Sequence, residues 1–274
     1  MKGIPKKAKI LLIKLRSIGD VVYNTAVYSP IKKCFPDAHL TVVVEKPSYD
    51  LVCDHPDVDE VLCFEKKLLW KQIKFYARLM LARYDVAIDM HEGTRGAVMC
   101  FLTCAPMRIG HKFAKRSFLY NTKLDFSDLK PEFSIDYQIA LIKKMGVPFV
   151  SVTPSVYISN PAKLRAKTLL SQNGIKEGDK YCVIHPGTKK IYDQWQYEKF
   201  ATLLETIPKK YKIKVVHPGT WKPLSEKNQV VYKNIECSPC YKHTRKLECY
   251  EGDAECKRVI EVEDVIKAVE ESLR

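Results

Sequence analysis

Through its first 110 residues the chain alternates short aliphatic runs with helix-period segments, and this alternation constrains the fold more than any other feature. The run "AKILLIKL" (8–15) ends in "RSIGD", and a helical pattern follows from Val21 to Phe35. The runs "HLTVVVE" (39–45), "VDEVLCF" (58–64), "YDVAIDM" (84–90) and "PMRIG" (106–110) predict four further strands. "KKLLWKQIKFYARLMLARY" predicts a helix between the third and the fourth. Strand and helix in regular alternation imply an α/β fold with a doubly wound parallel sheet.

A second series begins further along. The segment from Pro131 to Met145 predicts an amphipathic helix, and the proline-interrupted "GVPFVSVTPSVYISNP" (146–161) that follows reads as a domain boundary. The expected domains are residues 1–158 and 159–274. The latter opens with a helix near Ala162 to Gln172, the strand "YCVIHPG" (181–187), the helix "YEKFATLLETI" (197–207) and the strand "YKIKVV" (211–216). A doubly wound nucleotide-binding domain uses roughly five or six parallel strands. After Val216 the chain supplies one short apolar run, "NQVVYKN", a Cys-rich segment (237–256) and a closing helix, "VEDVIKAVEESLR". The second domain is therefore read as shortened.

Ligands of open α/β sheets gather beyond the carboxyl ends of the strands, which directs attention to "RSIGD", "DMHEGTR" and "HPGTKK". In the first, Gly19 is read as permitting a tight turn. Asp20 is read either as a helix cap, worth about 1 kcal/mol, or as a carboxylate held for general-base work. In the second, Asp89, His91, Glu92 and Arg95 crowd around a glycine, more polar groups than capping needs, as in a loop that binds a polyhydroxylated or phosphorylated ligand. Lys112, Lys115 and Arg116 in "HKFAKR" are either a solvated charge run or a phosphate contact. In the third, backbone N–H groups at Gly187 and Thr188, with Lys189 and Lys190, suit a diphosphate at a helix start.

Charge widens the choice of partner instead of narrowing it. Lys and Arg number 46 against 32 Asp and Glu, and the excess is spread over both halves. A diffuse positive field suits a nucleotide sugar, a phosphorylated glycolipid, a bilayer surface or nucleic acid. Nucleic acid fits least, because the basic residues are not gathered with aromatics on one element. The first apolar run, interrupted by Lys14 and Arg16, is too short for a signal sequence, and the expected compartment is the cytoplasm. Ten cysteines are then expected to be mostly reduced, six of them scattered as small core residues. Cys237, Cys240, Cys249 and Cys256 have the ligand count for a tetrahedral structural zinc, though their spacing leaves disulfides or free thiols open.

The segments "LLIKLRSIGDVVYNTAVYSPIKKCFPDAHLTVVVE", "HPDVDEVLCF", "YDVAIDMHEGTRGA", "RIGH", "VIHPGTKKIYDQWQYEKFATLL" and "CSPCYK…CKRVIEVEDVIKAVEESL", in this order, resemble the heptosyltransferases of glycosyltransferase family nine. The resemblance implies a GT-B architecture, two Rossmann-like domains facing a cleft. It also implies inverting transfer of heptose from ADP-heptose to an inner-core lipopolysaccharide acceptor at the inner membrane surface, without a catalytic metal. It places the catalytic base at Asp20, the acceptor on the first domain, where Gly19, His91, Glu92, Arg95, Lys112 and Arg116 are the candidate contacts, and the donor on the second, where Gly187, Thr188, Lys189 and Lys190 are. Two departures bear on donor binding. The family's basic residue two positions before the Trp of this segment is Asp193 here, and its Asp-Ser/Thr-Gly-x-x-His motif is absent from the chain. The repeat of "HPGT" at 217–220 reads as the seam of an internal deletion. The alternative is a non-catalytic protein that keeps the acceptor domain.

Overall fold

The computed structural model describes residues 3–15, 17–66, 68–125, 134–148, 153–172, 174–178, 195–206, 231, 233, 235 and 255–273. The chain divides into two compact units, Met1–Ala162 and Lys163–Arg274.

Among the described residues the first unit has six strands: β1 (Lys9–Ile13), β2 (His39–Glu45), β3 (Glu60–Phe64), β4 (Val86–Asp89), β5 (Met107–His111) and β6 (Thr122–Leu124). All neighbours pair in parallel, in the order β3-β2-β1-β4-β5-β6. Burial on both faces explains why these strands read as apolar runs and not as alternating patterns. In β1, Ile10 and Leu12 enter one core with Val21, Tyr28, Ile31 and Leu141, while Leu11 and Ile13 enter the other with Leu79, Ala97 and Met99. Fully burying each such side chain stabilises the fold by about 1.5–3 kcal/mol.

The helices divide accordingly. On the first face lie α1 (Ile18–Thr25), α2 (Tyr28–Cys34) and α6 (Ser134–Lys143); on the second, α4 (Leu69–Leu81) and α5 (Thr94–Leu102). The short α3 (Lys46–Tyr49) follows β2. The single helix expected from Val21 to Phe35 is two. Pro30 has no N–H to continue the ladder, and it is tolerated in α2 because it falls in the first turn. The proline-interrupted stretch is pinned to this unit: Ser155 N–H donates to Thr25 Oγ1 at 2.9 Å, and Ser155 Oγ lies 3.1 Å from His55 Nε2.

In the second unit the described elements are α7 (Asn160–Gln172), which begins in the last residues of the first, α8 (Tyr197–Thr206), α9 (Glu255–Arg258) and α10 (Val262–Leu273). Trp195, Leu203, Val231, Ile260, Val265 and Val269 form its core. Trp195 Nε1–H donates to the Ile260 carbonyl at 3.0 Å, and the Lys199 ammonium donates to the carbonyls of Arg258 and Ile260 and to Glu261. A cation at the last carbonyls of α9 suits the negative end of that helix. The strands expected at 181–187 and 211–216 lie outside the described residues.

The cysteines depart from expectation. Cys100 is buried and bonds to the Ala87 carbonyl, but Cys53 and Cys63 are half-buried and Cys34 and Cys104 exposed, so only one of these five acts as a core residue.

Candidate functional site

The strand order reverses between β1 and β4, because the chain leaves the sheet edge at β3 and returns beside β1. Loops diverge at such a point and leave a crevice beyond the carboxyl ends of the strands. Three groups of the expected site residues reach this one edge: Gly19 and Asp20 after β1, His91, Glu92 and Arg95 after β4, and Lys112 and Arg116 after β5.

The two loops at the reversal are tied across it. Met90 N–H donates to the Ile13 carbonyl at 3.0 Å, and the Lys14 ammonium, only 7% exposed, donates to the Met90 carbonyl at 2.8 Å. Behind them, Asn24 of α1 donates to Gln138 Oε1 of α6 and accepts from the Tyr28 hydroxyl of α2. This buried network ties the end of α1 to α2 and α6.

Asp20 is not the cap of α1. Ser17 occupies the cap position and makes no side-chain bond to the backbone; its hydroxyl donates to Asp20 Oδ2 at 2.7 Å. Asp20, half-buried in the first turn, places negative charge where the helix dipole favours it. Gly19 also departs from the tight-turn reading. It lies inside α1 outside the left-handed region, and a Cβ there would meet nothing within 4 Å.

The loop after β4 is organised by a residue that sequence reasoning counted only as one polar group among four. Asp89 is fully buried; its Oδ1 accepts from the N–H groups of His91 and Glu92 at 2.8 and 3.2 Å, and its Oδ2 from the Tyr120 hydroxyl at 2.6 Å. Burial pushes the Asp89 carboxyl up to about 6, against the pull of these three bonds. Glu92 is held at φ 59°, in the left-handed region that non-glycine residues seldom occupy. Two glycines make room: a Cβ on Gly96 would stand 2.1 Å from Asp89 Oδ1, and one on Gly110 would stand 2.4 Å from the Tyr120 ring.

His91 and Glu92 are half-buried and Arg95 is exposed. Glu92 acts electrostatically on His111 at the end of β5, whose pKa is lowered mainly by burial, with Glu92 and Asp125 opposing. Sequence reasoning passed over His111 and Tyr120; the signal for both was the glycine of "RIGH". The basic run beyond β5 does not act as one cluster, because Lys112 is bound to Asp125 at 2.6 Å while Lys115 and Arg116 face solvent.

Gly187, Thr188, Lys189 and Lys190 lie outside the described residues, as do Cys237, Cys240 and Cys249. Cys256 is half-buried in α9. Among the described residues no group of three or more His, Cys, Asp or Glu side chains has a metal-binding arrangement. No helix among them is long and apolar enough to cross a membrane.

Lipopolysaccharide heptosyltransferase 3 of Escherichia coli is 21% identical over 202 residues, 70% of this chain and 58% of that protein. A lipopolysaccharide core heptosyltransferase of Haemophilus influenzae is 22% identical over 204 residues, 70% of this chain and 54% of that protein. The chain thus spans little more than half the length of these relatives. Among solved structures, a family 9 glycosyltransferase from Veillonella parvula superposes with a TM-score of 0.66 at 22% identity, covering 77% of this chain and 63% of that one. ADP-heptose lipopolysaccharide heptosyltransferase II of Escherichia coli gives 0.60 at 20% identity, covering 77% and 65%. The α/β class of GT-B type expected from the sequence is the fold these structures share with the chain. The sequence profile of glycosyltransferase family 9 (heptosyltransferase) matches residues 72–216, more than half of the chain and ending immediately before the second His-Pro-Gly-Thr. On that match the chain belongs to glycosyltransferase family 9, the heptosyltransferase family.

Proposed function

We propose that the chain is an inverting glycosyltransferase that moves heptose from ADP-heptose to a lipopolysaccharide inner-core acceptor at the inner face of the cytoplasmic membrane. The observation that carries this reading is the Asp20 carboxylate in the first turn of α1, at the strand-order reversal, with Oδ2 held by the Ser17 hydroxyl. Asp20 takes the proton of an acceptor hydroxyl as that oxygen attacks the anomeric carbon. The bond from that carbon to the diphosphate breaks, and ADP leaves from the opposite face.

His91 and Glu92, held by Asp89, with Arg95 in the first turn of α5 and Lys112 and Arg116 beyond β5, supply polar and cationic groups for a phosphorylated sugar. At Gly19 the fold leaves space that a side chain would fill, which suits close approach of the acceptor. The donor is assigned to the second unit, with Gly187, Thr188, Lys189 and Lys190 around its diphosphate; no metal takes part. Asp193 and the missing Asp-Ser/Thr-Gly-x-x-His motif weaken donor binding and make transfer slow. The same departures favour a second reading, a protein that binds the acceptor without catalysis.

Asp20→Asn is the test. The amide keeps the Ser17 contact but takes no proton, so transfer to a heptose-deficient lipopolysaccharide acceptor falls by about 10²–10⁴-fold with the fold intact. Turnover retained in this variant removes Asp20 as the base. Acceptor binding without transfer in the wild type selects the second reading.

A further inference from the structure

Helix α4 packs on the sheet through Phe75, Tyr76 and Leu79, and Leu79 is its fully buried side chain. The opposite side is apolar as well. Leu69 is 73% exposed, Trp70 54%, Ile73 61%, Met80 50% and Leu81 81%. At about 3.6 residues per turn these five, with the exposed Ala77 between them, form one continuous arc. A helix that only covers a sheet carries polar residues there.

Along the helix itself the charge has one sign. Between Lys66 and Tyr84 the chain has six Lys or Arg residues and no Asp or Glu. Lys71 and Lys74 stand 5.8 and 5.0 Å from the centre of the Trp70 ring. Beside the far end of the helix an open cleft of about 850 Å³ is lined by Lys7, Lys9, Lys74 and Arg78 against Asp37 and Glu60. Glu45 neutralises Lys66, Glu65 Lys71 and Glu60 Arg78, which leaves Lys7, Lys9 and Lys74 against Asp37 and the surface positive.

We propose that the outer face of α4 is an in-plane docking surface for an anionic phospholipid bilayer, with its apolar arc among the acyl chains and the flanking lysines at the phosphates. An exposed apolar stripe with Trp at its border and a basic flank is the composition of an interfacial helix. Its 13 residues reach about 20 Å, too short to span a bilayer. Lysine is depleted in the cores of protein–protein interfaces, so the face suits lipid better than a protein partner. Helix α4 starts just beyond the carboxyl end of β3, so Leu69 and Trp70 lie toward the sheet edge that holds the candidate site. The assignment deepens the membrane contact of the proposed function and rests on that part of it.

The test uses the full chain and vesicles of equal parts phosphatidylglycerol and phosphatidylcholine, beside vesicles of phosphatidylcholine alone. Co-sedimentation should favour the anionic vesicles by about tenfold and fall by about tenfold in Trp70→Ser/Ile73→Ser/Leu81→Ser, and high salt should weaken it. In the wild type, lipids brominated on the acyl chain should quench fluorescence that Trp70→Phe removes, a readout independent of the triple variant's folding. Transfer to a delipidated, soluble acceptor should be the same in wild type and variant. Equal vesicle binding by the triple variant, or no quenching of Trp70, overturns the assignment, as does a wild-type dimer that the variant dissociates. Vesicle binding without any transfer leaves the surface standing and removes the proposed reaction instead.

Discussion

A Cβ placed on Gly96 would fall 2.1 Å from Asp89 Oδ1, so the helix that follows β4 approaches the strand end as closely as it does only because this residue has no side chain. Gly96→Ala must displace either α5 or the carboxylate that holds the N–H groups of His91 and Glu92. We expect a loss of about 1–3 kcal/mol of stability, read from urea unfolding. Gly110→Ala should behave alike, because its Cβ would meet the Tyr120 ring instead of the tip of a flexible chain. An unchanged urea midpoint in both variants would show that the site has slack the geometry does not reveal.

The buried Asp89 carboxyl gives a pH signature. In the folded chain it holds its proton up to about pH 6, whereas the unperturbed value is 3.8. Between these values the folded state binds more protons than the unfolded one. The contribution is therefore fully present below about pH 4 and is lost as pH rises through about 6. Asp59 and Asp264, whose carboxyls are lowered by hydrogen bonds with lysine partners, slope the other way. Comparison with Asp89→Asn cancels them. The stability of that variant relative to wild type should rise between about pH 4 and 7 by an amount on the order of 2 kcal/mol. A flat difference would mean that Asp89 is charged throughout.

The contrast between Asp20 and Asp89 shows what the sequence makes legible. β1 to β5 announced themselves as apolar runs because both faces of the sheet are covered, and α4, α8 and α10 fall where their periodicity predicts. β6 did not, since Thr122–Leu124 is too short to show a period. The edge that gathers the loops after β1, β4 and β5 also followed, because alternation and parallel pairing fix which loops meet. What sequence could not supply was the division of labour among the carboxylates. Asp89 and Tyr120 are thirty-one positions apart, and only the fold brings them to 2.6 Å. Nor does spacing reveal that Ser17, not Asp20, occupies the cap position of α1, since both types favour helix starts.

With Asp20 as the proposed base, that arrangement makes Ser17 a positioning residue, its hydroxyl donating to the Asp20 carboxylate. Ser17→Ala should lower kcat by roughly tenfold while KM for the acceptor stays unchanged, since the lost bond orients the base and does not bind sugar. Ser17→Thr, which keeps the hydroxyl, should restore most of it. A rise in KM with kcat intact would place Ser17 in acceptor binding.

The four cysteines at 237, 240, 249 and 256 permit a metal test that is separate from catalysis. If their thiolates hold zinc, purified chain contains about one equivalent, Cys256→Ser loses it, and chelation loosens the second unit as followed by proteolysis. The proposed metal-free transfer should depend on chelator only through that loss of structure. Metal-free protein that resists proteolysis would assign the cysteines to thiols or disulfides.

Donor affinity is the quantity on which the proposed reaction depends most. A competent nucleotide-sugar site needs a cradle for the diphosphate, a cation beside it and a wall that closes over the base and sugar. The sequence offers the first at Gly187 and Thr188, substitutes Lys189 and Lys190 for the second, and lacks the motif expected to form the third. Without closure the donor stays solvated, and positioning that contributes about 7–11 kcal/mol at its best is mostly lost. Calorimetric titration with ADP and ADP-heptose should therefore show binding at least about tenfold weaker than that of a full-length relative measured alongside, a loss of about 1.4 kcal/mol or more. Transfer should be correspondingly slow. Reverting Asp193→Lys should recover part of the affinity for ADP, because it returns a cation to the diphosphate. Donor affinity and turnover equal to the relative's in the wild-type chain would mean that the second unit forms a complete donor site without the missing motif.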